Sequence, residues 1–223
     1  MDHTTRLQYL EAMGISVWLP RVTAEHQSAA ESDDNWESLQ ADVAGCTQCG
    51  LCKSRHTTVF GSGNKNADWM IVGEAPGQSE DQQGLPFTGK AGLLLTEMLR
   101  AIELKREDIF ITNVLKCRPP DNREPKHEEI ESCKTYLRRQ QALIQPKIIL
   151  ALGHVAAQTL LNTDQPIAEL RSKIHILNNT PVVVVYHPAY LLRAVLDKRK
   201  AWADLKFAQQ TVKNIKGKSC GEC

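Results

Sequence analysis

Seven cysteines, at positions 46, 49, 52, 117, 133, 220 and 223, are the residues of this 223-residue chain most able to bind metal. The first three form C-x-x-C-x-x-C, two stand far apart in mid-chain, and the last two form C-x-x-C. An odd number in this arrangement fits metal ligation better than a disulfide framework. Thiolates are soft donors that suit zinc or an iron–sulfur centre. The opening run has the beginning of a bacterial ferredoxin pattern, but SRHTT follows Lys53 and the closing x-x-x-C-P is missing.

A second candidate is GLPFTGKAG, residues 84–92, where Gly84, Gly89 and Lys90 fall at the spacing of a phosphate-cradling P-loop. Such a loop needs a strand just before it, free backbone N–H groups and a hydroxyl for magnesium. Here the preceding apolar run ends about ten residues too early, Pro86 has no N–H, Phe87 is bulky and Ala91 has no hydroxyl. Nucleotide hydrolysis is therefore set aside. Two readings remain: a turn capping a helix that starts near Lys90, or a loop that displays Phe87 for stacking on a flat ligand.

The elements that must position these residues follow from hydrophobic periodicity. From Trp36 onward short apolar runs alternate with amphipathic segments: WMIVG, GLLLTEMLRAI, IFITNV, a long polar-faced stretch ending near Ile144, KIILALG, HVAAQTLL, a weaker KIHIL, VVVVY and a helical C-terminal segment to about Lys216. Strands that are apolar throughout and separated by helices predict a parallel sheet covered on both faces. Ligands of such sheets bind at the loops leaving the carboxyl ends of the strands. GEAPGQSED follows the first strand, Asn113 ends the second and HPAYLLR follows VVVVY, so three polar loops open onto one sheet edge.

A chain that is 42% hydrophobic at this length predicts one sizeable core. No apolar run is long enough to cross a bilayer, and MDHTTRLQYLEAM does not read as a secretory signal, which predicts a soluble cytoplasmic protein. A net charge of +1 argues against an overall cationic coat but leaves room for a local basic face.

Taken together, CTQC (46–49), VFGSG (59–63), GEAPGQSED (73–81), GLPFTGKAG (84–92), ITNVLKCRPPDNREP (111–125), Cys133 and YHPAYLLR (186–193) resemble the family 4 uracil-DNA glycosylases, the iron–sulfur members of their superfamily. The resemblance covers about Val43 to Ile215. It implies a three-layer α/β sandwich with a central, mostly parallel four-stranded sheet flanked by helices. It also implies a structural [4Fe–4S] cluster held by Cys46, Cys49, Cys117 and Cys133, with Cys52 left over; a zinc Cys₄ site is the alternative. The domain plan is an arm (1–21), a linker (22–35), a glycosylase domain (36–216) and a cysteine-bearing tail (217–223).

The chemistry implied is hydrolysis of the N-glycosidic bond of deoxyuridine, flipped out of single- or double-stranded DNA. Uracil leaves as an anion, so the site needs a donor for its oxygen, an oriented water and a group that reads the base edge. On this resemblance His187 faces uracil O2 and Glu74 orients or deprotonates water. Asn113 reads N3–H and O4, and Phe87 stacks on the base. Gly73, Ala75, Pro76 and Gly77 shape the first loop, and Glu80 forms the wall near uracil C5. Leu191 is the wedge that fills the gap left in the stack. Lys90, Lys116, Arg118 and Arg193 meet phosphates.

No lysine in these loops is placed to act as a Schiff-base nucleophile, which predicts a monofunctional enzyme that leaves an abasic site; a monomer is expected. A related family becomes covalently trapped through a histidine on an extra basic loop. Here RPPDNREPKHEEIES carries no insertion, and its His127 lies on an acidic helical stretch. The rival classes are a non-catalytic DNA-binding module scaffolded by the cluster and an iron–sulfur redox protein. In the arm, RLQYLEAMGISVWLPR combines a short apolar helix, a glycine and Trp18, as a docking peptide would. Over this stretch it resembles the N-terminal peptide of the psi subunit of the bacterial clamp loader, which implies a clamp-loader contact through residues 5–21.

Overall fold

The computed structural model describes residues 35–219. The arm, nearly all of the linker, Cys220 and Cys223 lie outside the described residues. Helix α1 (Trp36–Ala44) comes first, followed by a short turn of 3₁₀-helix (Gly50–Lys53) and strands β1 (Ser62–Gly63) and β2 (Trp69–Gly73). Then come α2 (Gln78–Gln83), α3 (Lys90–Arg100), β3 (Phe110–Asn113), α4 (His127–Ile144), β4 (Ile148–Leu152), α5 (His154–Leu161) and α6 (Ile167–Leu170). The chain closes with β5 (His175–Leu177), β6 (Thr180–Val185), α7 (Pro188–Leu191) and α8 (Lys198–Ser219).

The strands form one six-stranded sheet in the order β1-β3-β2-β4-β6-β5. The central pairs β3–β2, β2–β4 and β4–β6 are parallel, while β1 and β5 pair antiparallel at the two edges. The expected four-stranded, mostly parallel sheet is thus corrected to a mixed sheet of six. The two additional strands are only two and three residues long and lack a fully buried run, so apolar patterning hardly marks them.

The central strands are buried on both faces because their alternate residues enter different cores. Met70 and Val72 of β2, Ile149 and Ala151 of β4, and Val182 and Val184 of β6 face α1, α4 and α5. Their neighbours Trp69 and Ile71, Ile148, Leu150 and Leu152, and Val183 and Val185 face α3 and α8. A three-layer α/β sandwich results. The strands' carboxyl ends lie together, and β4 leads through Gly153 directly into α5.

One buried ion pair fastens the last helix to the loops beside β6. Arg171 donates from Nε to Asp204 Oδ2 at 2.6 Å, and Ser172 bonds Oδ1 at 3.3 Å. The Arg171 guanidinium also lies 4.3 Å from the centre of the Tyr186 ring, just after β6. Removing one partner of a buried pair leaves the other charge uncompensated. Asp204→Ala is expected to lower stability by about 3 kcal/mol in urea unfolding. A loss below about 0.5 kcal/mol would show that the pair is not a structural tie.

Candidate active site

The carboxyl edge of the sheet opens into a cavity of about 810 Å³. Its geometry begins with register: Gly73 at the end of β2 is the direct partner of Asn113 at the end of β3. The ladder continues past both strands, with Val114 N–H donating to the Gly73 carbonyl at 2.9 Å and Leu115 N–H to the Glu74 carbonyl at 3.0 Å. A Cβ at Gly73 would fall 2.4 Å from Asn113 Oδ1 and 2.7 Å from Phe87 Cζ. Glycine is required there because two side chains cross its α-carbon.

Asn113 is buried, and its Oδ1 has no hydrogen-bond partner among the described residues. A buried acceptor without a donor carries a cost of about 1–3 kcal/mol, and such an atom is a mark of a site built for a ligand. Its backbone is braced from behind by Lys116, whose Nζ donates to the Asn113 carbonyl at 2.8 Å, to Thr112 Oγ1 at 2.6 Å and to Gln140 Oε1 at 2.7 Å. Lys116 was expected to meet DNA phosphates. Instead it is fully buried, and that burial lowers its ammonium pKa to about 8.

The loop 84–92 holds Phe87 in a left-handed conformation, φ 55°. Arg106 grips the bend, donating to the Pro86 carbonyl at 2.9 Å and the Phe87 carbonyl at 3.2 Å. The Phe87 ring lies 5.7 Å from the His187 ring at an interplanar angle of 32°. Glu80 Oε1 accepts from the backbone N–H groups of Thr88 and Gly89 at 3.0 and 3.1 Å. The donors that a phosphate would use at the start of α3 are thus taken by the protein's own carboxylate, which fits the rejection of the P-loop reading.

His187 caps α7, its Nδ1 accepting from Ala189 N–H at 3.1 Å. That bond leaves the ring proton on Nε2. Poor hydration in the cavity lowers the His187 pKa to about 4, with the nearby His154 acting in the same direction. Glu74, half-buried, has its pKa raised by burial; His154 opposes the shift and Glu124 adds to it. Ala75, Pro76, Gly77, Glu80, Phe87, Asn113 and Arg193 share the cavity wall with Glu74 and His187.

Elsewhere the sequence-derived set divides. Lys90 is exposed on the first turn of α3, and Arg118 is half-buried, with its Nε bonded to Asn122 Oδ1 at 2.8 Å. Leu191, expected as the wedge, is 1% exposed and packs into the core with α3 and α8. The exposed apolar side chain at this point is Leu192, at 44%. Sequence reasoning missed Arg106, which has no motif, and His154, which follows KIILALG at the carboxyl end of a strand where the positional rule would have found it.

The cysteines gather in a pocket of their own. Cys46, Cys49, Cys52, Cys117 and Cys133 line one pocket, and none of them lines the cavity. Lys116 N–H donates to Cys133 Sγ at 3.3 Å and Arg55 Nη1 to Cys117 Sγ at 3.2 Å. Burial raises the thiol pKa of Cys49, Cys117 and Cys133, the last to about 11. Among the described residues no group of three or more His, Cys, Asp or Glu side chains is set to hold a single metal ion. Thiols gathered in one pocket, with an N–H donor to Cys133 and a guanidinium donor to Cys117, do fit an iron–sulfur cluster.

With this geometry in hand, comparison with known proteins identifies the class. Residues 60–206 match the model of the Uracil DNA glycosylase superfamily. The type-4 uracil-DNA glycosylase of Archaeoglobus fulgidus is 43% identical over 167 residues, 71% of this chain and 84% of that protein. That of Sulfurisphaera tokodaii is 40% identical over 168 residues, 73% and 76% of the two chains. The Thermotoga maritima protein is 42% identical over 159 residues, 70% and 83%. The chain belongs to the type-4 uracil-DNA glycosylase family.

The His187 environment sets a pH dependence. Between pH 6.5 and about 4 the unfolded chain takes up a proton that the folded protein refuses, so this contribution to stability is present above 6.5 and is lost as pH falls through that window. Two-dimensional ¹H–¹⁵N spectra of the imidazoles are expected to show His187 neutral, with its proton on Nε2, at pH 6. A midpoint between about 6 and 7 would contradict this placement.

Proposed function

We propose that this protein releases uracil from DNA by hydrolysing the N-glycosidic bond of deoxyuridine, leaving an abasic site. The observation that carries the reading is the convergence, in one cavity, of an unpartnered Asn113 Oδ1, the Phe87 ring, a neutral His187 and the Glu74 carboxylate. A base buried in a duplex stack cannot reach such a cavity, so the nucleotide must be flipped at a cost of a few kcal/mol.

In this reading Asn113 Oδ1 accepts from uracil N3–H while its amide donates to O4. Cytosine offers an acceptor and a donor in the reverse order and would leave the same oxygen unsatisfied. Phe87 stacks on the base, and Glu80, locked by Thr88 and Gly89, forms the wall near C5 that a thymine methyl would meet. His187 donates its Nε2 proton to O2 as negative charge develops there. A neutral imidazole serves this purpose because it donates without passing on its proton to the leaving base. Glu74 orients the attacking water and stabilises the positive charge of the sugar.

Lys90 and Arg193 are exposed and suit phosphate contacts, which predicts binding that weakens with salt. Leu192, exposed beside the cavity, takes over the gap-filling task that burial denies to Leu191. Cys46, Cys49, Cys117 and Cys133 would hold a [4Fe–4S] cluster. When bound it supplies a structural cross-link between the segment after α1, the loop after β3 and α4.

Glu74→Gln is expected to reduce uracil release from a labelled oligonucleotide by about 10²–10⁴-fold while leaving the fold and iron content unchanged. Activity within about threefold of wild type would remove Glu74 from the reaction. The purified protein should absorb near 400 nm and carry about four irons per chain. Stoichiometric zinc without iron would overturn the cluster assignment.

A further inference from the structure

Two acids end the GEAPGQSED motif, and they serve different parts of the molecule. Glu80 lines the cavity, whereas Asp81 is 5% exposed and lines neither the cavity nor the thiol pocket. Neighbouring residues of a helix point about 100° apart, so the two side chains leave the six-residue α2 in different directions. Glu80 reaches forward to the N–H groups of Thr88 and Gly89. Asp81 reaches back along the chain. Its Oδ1 accepts from His56 N–H at 2.9 Å and Thr57 N–H at 3.4 Å, and its Oδ2 from His56 N–H at 3.1 Å.

Residues 55–60 form the strap that Asp81 holds, and the strap is anchored at both ends. At its start Arg55 donates to Cys117 Sγ and to the Ala44 carbonyl, each at 3.2 Å. At its end Val59 N–H donates to the Lys116 carbonyl at 2.8 Å. The Phe60 carbonyl accepts from Thr112 Oγ1 at 3.0 Å and from Gln140 Nε2 at 2.8 Å. Among the described residues, the hydrogen bonds that join this strap to α2 are those to Asp81. The contact continues at Gly84, which ends α2 at φ 71°; a Cβ there would stand 3.6 Å from Thr57 Cγ2. Burying a carboxyl group is costly unless donors meet it, and two backbone amides meet it here.

We propose that Asp81 is a positioning residue: through α2 it seats Glu80 and the Phe87 loop on the strap that Arg55 ties to Cys117. The path is continuous in hydrogen bonds. Arg55 fixes the strap to a thiol, Asp81 fixes α2 to the strap, and Glu80 fixes the 84–92 loop to α2. Ser79 adds a parallel tie, its hydroxyl 3.0 Å from Thr88 Oγ1. The wall around the base therefore takes its place from the segment beside the thiols as well as from the sheet. The inference rests on the reading of Glu80 and Phe87 as the wall and stacking ring of a uracil pocket.

The test separates seating from general stability. Native-state amide exchange is measured at His56, Thr57, Thr88 and Gly89 in the wild type, Asp81→Asn, Asp81→Ala and Asp204→Ala, at equal metal content. Asp204→Ala supplies destabilisation that touches neither α2 nor the strap. In Asp81→Asn, which keeps one acceptor oxygen, exchange at all four amides is expected to rise about tenfold while the β4 amides keep their wild-type rates. KM for a uracil-containing oligonucleotide should rise about fivefold with kcat within about twofold, because the wall holds the flipped base in ground and transition states alike. Asp81→Ala should move the same quantities further; if it does not fold, Asp81→Asn alone decides. Acceleration confined to His56 and Thr57 would overturn the proposal, as would an equal acceleration at Thr88 and Gly89 in Asp204→Ala. Failure of the wild type to release uracil would instead overturn the glycosylase reading, and the exchange rates would still decide the role of Asp81.

Discussion

The pairing of Gly73 with Asn113 at the end of two parallel strands is the constraint on which the cavity depends. Because the ladder runs on to Val114 and Leu115, the loop carrying Glu74 leaves the sheet in a fixed direction. Because residue 73 has no side chain, Asn113 and Phe87 can both pass over its α-carbon. From there the supports radiate outward. Lys116 holds the Asn113 backbone from the interior, Arg106 holds Phe87 from the outside, and Glu80 fastens the loop to the start of α3. Lys116 and Arg106 need not touch a ligand, yet each fixes a group that faces the cavity.

Charge in and around the cavity is managed by occupation as much as by burial. Glu80 is satisfied by backbone amides and Arg123 by Glu129, so neither competes for a substrate. His187 gives Nδ1 to the backbone and keeps one proton for use elsewhere. Among the described residues Glu74, whose carboxylate burial disfavours, has no such clamp. The thiols form a separate centre, and Lys116 links it to the cavity: it binds Cys133 through its amide and the Asn113 carbonyl through its ammonium.

Much of this was legible in the sequence, for reasons that are themselves physical. Four central strands announce themselves because burial on both faces makes WMIVG, IILAL and VVVV apolar throughout and IFITN apolar up to Thr112. Of the edge strands, SG left no pattern and HIL only the weaker KIHIL, since both bury too little. The loops with Glu74, Asn113 and His187 followed from their place at strand ends. Lys116 and Leu191 were misplaced because a motif fixes a residue's position along the chain and not the direction of its side chain. Only the packing of α4 on β3, and of α7 on α3 and α8, shows that both point inward. Arg106 left no trace in the sequence, since two of its partners are carbonyls, which every residue has.

The unpartnered oxygen of Asn113 has a consequence for the protein as a whole. Among the described residues none supplies its hydrogen bond. A leucine of similar size would remove the penalty and make a quieter core, so folding alone gives no reason to keep the amide. With Asn113 as the proposed reader of the base, selectivity is stored as a small instability at one atom, and a sturdier protein at that position would also be an indifferent one.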